Sequence, residues 1–123
     1  MKFAYLIMAH DNEEQLRILI DALDYEENDI YLHIDNKSEF KKKKFEVSNA
    51  TIHVYSKFSV YWGDLSQTKC QIFLLNEAIK VQHNYYHLIS GHDFPIKSHS
   101  EIMAFFTKNS GKQFIHFESQ IIV

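Results

Sequence analysis

The chain has 123 residues, of which 46% are apolar, enough for one domain with a continuous core. A formal charge of -3 gives no general attraction to nucleic acid, and Cys70 stands alone, which excludes an internal disulfide. No apolar run reaches the ~20 residues that a membrane-spanning helix needs.

Phe3 to Ala9 is a continuous apolar run, suited to a strand buried on both faces. Asp11, Glu13 and Glu14 follow at once, so a first strand explains this run better than a signal peptide does. Spacing then turns helical, with Leu16, Leu19, Ile20 and Leu23 on one stripe, and Asp11 and Glu14 at N-cap and N3 spacing. Ile30 to Ile34 predicts a second strand, ending in Asp35-Asn36-Lys37-Ser38. Residues 36–50 are polar and lysine-rich, and predict a loop with a short helix. The basic block Lys41 to Lys44 reads as solvated.

Thr51 to Tyr55 predicts a third strand. Val60-Tyr61-Trp62-Gly63 leads into a long helix with Leu65, Thr68, Ile72, Leu75 and Ile79 on one face, and Asp64 with Gln67 at its start. Cys70 lies within it as a small core residue. Tyr85 to Ser90 predicts the fourth strand, Ser98 to about Lys108 the third helix, and Gln113 to Phe117 a fifth strand. Strands alternating with helices predict an α/β fold, a mostly parallel sheet covered on both faces. The end, Gln120-Ile121-Ile122-Val123, is apolar and carries no stop signal. We therefore expect the sheet to continue and read the chain as the amino-terminal half of a larger domain.

Four polar clusters fall at strand ends: Ala9-His10-Asp11, His33-Ile34-Asp35, Tyr61-Trp62-Gly63-Asp64 and Gly91-His92-Asp93. In a parallel sheet these ends share one edge, so several clusters can converge on one crevice. The competing role for Asp11, Asp64 and Asp35 is capping of helices or turns. Eight histidines invite a metal site, but their spacing shows no His-Glu-x-x-His, and a single cysteine cannot form Cys-x-x-Cys. Neither Gly-x-x-x-x-Gly-Lys nor Gly-x-Gly-x-x-Gly occurs, which argues against a P-loop kinase or a standard dinucleotide dehydrogenase. An Asp-x-Asp pair able to hold a divalent ion on a diphosphate is also missing, so lysine or arginine would have to offset that charge.

The stretch Leu88-Ile89-Ser90-Gly91-His92-Asp93-Phe94-Pro95-Ile96-Lys97 carries the most information. It resembles the Ser-Gly-x-Asp-Phe-Pro-Ile-Lys segment of the core-2/I-branching β-1,6-N-acetylglucosaminyltransferases, glycosyltransferase family 14. Three further segments match in the same order. Ala4 to His10 is similar to the family's first strand, and Ile30 to Ser38 to its His-x-Asp-x-Lys-Ser segment. Ser59 to Ser66 is similar to its Val-x-Trp-Gly-Gly-x-Ser segment, with Asp64 replacing the second glycine.

The resemblance implies a GT-A-like, Rossmann-like three-layer sandwich binding a UDP-sugar along its first strands, inverting and without metal. It places His10, Asp35 and Tyr61 at the donor nucleotide and Glu101 and Lys97 toward the acceptor, with Trp62, Gly63, Gly91 and Asp93 shaping the site. Asp35 is the strongest donor-site candidate, expected to matter more for UDP than for folding. Glu101 has a competing role, since Ser98-His99-Ser100-Glu101 has capping-box spacing. The expected partners are a UDP-sugar and a glycan acceptor, with no metal or other cofactor. The catalytic base is expected beyond Val123. A protein xylosyltransferase of the same family and a non-catalytic nucleotide- or glycan-binding module are the alternatives. Cytoplasmic location is expected, with peripheral membrane association left open.

Overall fold

A computed structural model describes residues 1–115. Strand β1 (Phe3–Ala9) is the organising element, and all but one of its residues are buried. It pairs in parallel with β2 (Asn28–Ile34) on one side and β4 (Tyr85–Ser90) on the other, while β3 (Thr51–Tyr55) adds in parallel to β2. The order is β3-β2-β1-β4. The register sets Ala9 opposite Ile34 and Met8 opposite Ser90, so the ends of β1, β2 and β4 lie level. Because β1 is buried from both faces, it is apolar throughout rather than alternating.

Helices α1 (Glu13–Ala22) and α3 (His99–Lys108) cover one face. Leu16, Leu19 and Ile20 of α1, with Ile102, Met103 and Phe106 of α3, pack on Phe3, Tyr5, Ile7, Ile30 and Leu32. Helix α2 (Leu65–Ala78) covers the other through Leu74 and Ala78 against Ala4, Leu6 and Tyr31. The result is a three-layer α/β arrangement with an all-parallel sheet, as the alternation predicts, and it is consistent with the Rossmann-like GT-A domain that the resemblance implies. Among the described residues no helix is long and apolar enough to cross a membrane.

Local expectations fare unevenly. The α1 N-cap is Asn12, not Asp11: Asn12 sits at φ 54 and its side chain accepts from the Gln15 amide. Asparagine tolerates that left-handed conformation, and the Asp11 carboxylate is taken up by His92 instead. Asp64 does cap α2, and Ser98 with Glu101 forms a complete capping box on α3.

The face of α2 is reversed. Cys70, Leu74 and Ala78 are buried, whereas Leu65, Ile72, Leu75 and Ile79 are exposed. The helix carries apolar residues on two opposite stripes, and the one with small Cys70 and Ala78 is the one that lies against the sheet. Burial pushes the Cys70 thiol up to about 12, as befits a packing residue.

Residues 36–50 form turns without the expected short helix. Buried Phe40 and Phe45 anchor this segment to the core, and the Asp24 carboxylate accepts from the Ser48, Asn49 and Ala50 amides at 2.7–2.8 Å. Of the predicted fifth strand, residues 113–115 carry no strand, and residues 116–117 lie outside the described residues.

His87 on β4 stacks on Tyr5 at 4.8 Å and meets Phe3 and Phe106 edge-on, and its Nε2 is buried without a partner among the described residues. Burial lowers its pKa to about 4. The unfolded chain, with an ordinary value of about 6.5, therefore binds this proton first, so stability is complete above that pH and falls as pH drops toward about 4. The shift is worth about 3 kcal/mol at most. Buried His33, also lowered, adds in the same direction. His87→Phe should keep the aromatic packing and flatten most of the stability slope between about pH 6.5 and 4. Urea unfolding across that range measures it, and an unchanged slope would show that His87 does not carry it.

Candidate functional site

The sheet order places a topological switch point between β1 and β4: the chain leaves β1 for β2 and β3 on one side, then returns to β4 on the other. In open parallel sheets the crevice beyond the strand ends at such a point is where ligands bind. A crevice of about 620 Å³ lies here, lined by His10, His33, Asp35, Lys37, Trp62 and Asp93 together with Gln67 and Gln71 of α2 and Leu88 and Ser90 of β4.

Its wall is built from the end of β2. His33 is almost fully buried, and its Nε2 accepts from the Lys57 and Phe58 amides at 3.1 and 2.9 Å. An acceptor Nε2 fixes the ring proton on Nδ1, and burial lowers the pKa, keeping the ring neutral. Two residues on, Asp35 is 3% exposed. Its carboxylate accepts from the Lys37 amide at 2.8 Å, the Lys37 ammonium at 3.0 Å and the Val60 amide at 3.1 Å. Burial would raise its pKa, but these three donors outweigh it and the net shift is downward. Lys37 Nζ also donates to the Val60 carbonyl and lies 4.1 Å from the Tyr61 ring centre. His33, Asp35 and Lys37 thus fasten the irregular segment after β3, from Lys57 to Tyr61, across the end of β2.

That fastening presents Trp62, 97% exposed, at the crevice. Gly63 follows at φ +72 with open space around it, so glycine serves the turn into α2 by conformation and not by close contact. On the opposite wall Gly91 serves by contact. A Cβ there would stand 2.9 Å from the Ala9 Cβ, and the Gly91 amide donates to the Met8 carbonyl at 2.9 Å. Asp93 accepts from the Ser90 amide at 2.8 Å and closes the turn.

The residues singled out in the sequence divide accordingly. His10, Asp35, Trp62 and Asp93 line the crevice. Gly63 and Gly91 shape its walls, and Tyr61 stands behind Lys37 without lining it. Glu101 and Lys97 lie outside it. Glu101 takes the Ser98 amide and hydroxyl at 2.9 and 2.8 Å, which lowers its pKa, so its capping role is present. Lys97 is exposed, without a hydrogen-bond partner among the described residues. Asp35 is more deeply engaged in the fold than a strand-end ligand needs to be. Lys37 and Gln71 were not singled out, and Gln67 only at the start of α2 beside Asp64. Lys37 stands in the His-x-Asp-x-Lys-Ser segment, and the two glutamines are four apart on one helix face next to the Trp62 turn, the only signal the sequence offers for them.

An open parallel sheet with a polar crevice at its switch point is the α/β architecture in which ligands bind beyond the strand ends. Residues 3–121 match the Core-2/I-Branching enzyme family, and the chain belongs to that family, which is one of glycosyltransferases. It is similar to Xylosyltransferase 2 of Canis lupus familiaris, Homo sapiens and Rattus norvegicus. Identity is 22% over 124 residues in each case, covering 94% of this chain. The chain spans 14% of the length of these relatives.

Two substitutions test the construction of the crevice. Gly91→Ala should destabilise by about 1–3 kcal/mol, since Ala9 belongs to the central strand and cannot step aside. Asp35→Asn should cost about 1–3 kcal/mol, because one of the two buried oxygens that accept from Lys37 and Val60 becomes an amide NH2 that cannot accept. Chemical denaturation reads both, and a change below about 0.5 kcal/mol for either would remove that residue from the framework of the crevice.

Proposed function

We propose that this chain forms the donor-binding part of a glycosyltransferase site that transfers a sugar, N-acetylglucosamine in the first reading, from a UDP-sugar to a glycan hydroxyl. Inversion without a metal-bound diphosphate is part of the proposal. The observation that carries it is the crevice at the β1/β4 switch point, where all four strand-end clusters contribute lining or wall, in a chain of glycosyltransferase family membership.

The chemistry of the lining suits a nucleoside. Exposed Trp62 offers a flat apolar surface for the base, and the Gln67 and Gln71 amides offer both donors and acceptors, as uracil's alternating N–H and C=O edge requires. Asp35 acts as a positioning residue in this account. It holds Lys37 and Val60, and through them the turn that carries Trp62. His10 lines the rim of the crevice beyond β1. Both carboxylates that line the crevice are occupied by backbone amides, so neither Asp35 nor Asp93 is proposed as the base that deprotonates the acceptor.

Xylose is the second reading, favoured by the names of the similar proteins. Titration of the full-length protein with UDP, UDP-N-acetylglucosamine and UDP-xylose distinguishes the two. All three should bind, and the sugar that tightens binding over UDP alone identifies the donor. Gln71→Ala should weaken UDP by a factor of roughly 2–10, the worth of one neutral hydrogen bond, with stability unchanged. EDTA should leave UDP affinity as it was. Strict Mn²⁺ dependence, or no UDP binding at all, would overturn the proposal.

A further inference from the structure

Beyond the end of β1, on the crevice rim, the fold brings together side chains that are far apart in sequence. His10 and Asp11 follow β1, and His92 follows β4. The His10 Nε2 lies 3.5 Å from Asp11 Oδ1, and the His92 Nε2 is hydrogen-bonded to that same oxygen. The two imidazole rings are 5.4 Å apart, and one ligand atom from each of the three residues lies within 4.8 Å of the others. Two imidazole nitrogens therefore converge on one carboxylate oxygen.

The backbone under this cluster is fixed. The Ser38 hydroxyl donates to the His10 carbonyl at 2.7 Å, and the His92 amide donates to the Ser90 hydroxyl at 3.0 Å. The tight contact of Gly91 with Ala9 sets the distance between the two strand ends. Asn12, held at φ 54, turns the chain into α1 immediately after Asp11. The frame beneath the three side chains is thus set by contacts outside the cluster.

We propose that His10, Asp11 and His92 form a binding site for a first-row divalent ion of the zinc type. Two imidazoles and one carboxylate are the donor set such ions take, whereas Mg²⁺ and Ca²⁺ require mainly oxygen ligands. Three protein ligands at an exposed position leave a further coordination site for water or for an oxygen of a bound molecule. This ion is not a requirement for donor binding, and the site stands whether or not the crevice takes UDP. Sequence spacing cannot show it, because His92 lies 81 positions from Asp11 and joins it only through the β1–β4 pairing.

The test is calorimetric titration of the full-length protein with Zn²⁺, Ni²⁺ and Mg²⁺ in the absence of nucleotide. Zn²⁺ and Ni²⁺ should bind at a site that Mg²⁺ does not occupy. His92→Ala, His92→Gln and Asp11→Asn should each weaken that site by roughly tenfold or more. His53→Ala, at an imidazole on β3 outside the cluster, should leave it unchanged. All of these positions are exposed, so circular dichroism should show the fold retained. Absence of Zn²⁺ binding, or Zn²⁺ binding that survives both His92 substitutions, would overturn the proposal.

Discussion

The crevice depends on two buried side chains at the end of β2. His33 and Asp35 face the segment that follows β3 and accept its Lys57, Phe58 and Val60 amides. That segment has no regular structure of its own, so its backbone donors would otherwise be left without partners beside the sheet. The protein meets this need with a neutral imidazole and a paired carboxylate. Lys37 completes the arrangement by neutralising Asp35 and packing on Tyr61. The position of Trp62, and with it one side of the crevice, follows from these contacts.

The other side rests on close packing. Ala9 and Gly91 are both small, and β1 and β4 can run level to their ends because neither carries a side chain that would part them. At the far end of the sheet Asp29 performs a comparable task. It is buried, pairs with His83 at 2.6 Å and Lys2 at 3.3 Å, and so joins the starts of β1 and β2 to the turn before β4. The strands are thus pinned by polar contacts at one end and by steric fit and amide capture at the other, which is the end where a ligand can enter.

Much of this was legible in the sequence. Continuous apolar runs separated by helical spacing marked β1 through β4 with bounds close to those observed, and the capping box of Ser98 and Glu101 was readable from four residues. The convergence of the strand-end clusters followed from parallel pairing alone. What was not legible involved choices between equivalent local options. Helix α2 has two apolar stripes, and only the flatness of Cys70 and Ala78 against the sheet decides between them. Asp11 and Asn12 are both good N-caps, and His92, reached only through the fold, decides which one serves. Asp35 was recognisable as a strand-end carboxylate, but its engagement by Lys37 and Val60 depends on where the chain returns after β3.

The central claim is that the crevice between β1 and β4 receives the nucleotide of a sugar donor. Trp62 is the only tryptophan of this chain and lines that crevice. The most direct measurement is the NMR shift of its indole N–H in selectively labelled full-length protein as UDP is added. The account predicts a saturable shift of the indole, accompanied by the Gln71 side-chain amide, with resonances of α3 unmoved. Saturation binding of UDP that leaves both the Trp62 and Gln71 signals in place would contradict it.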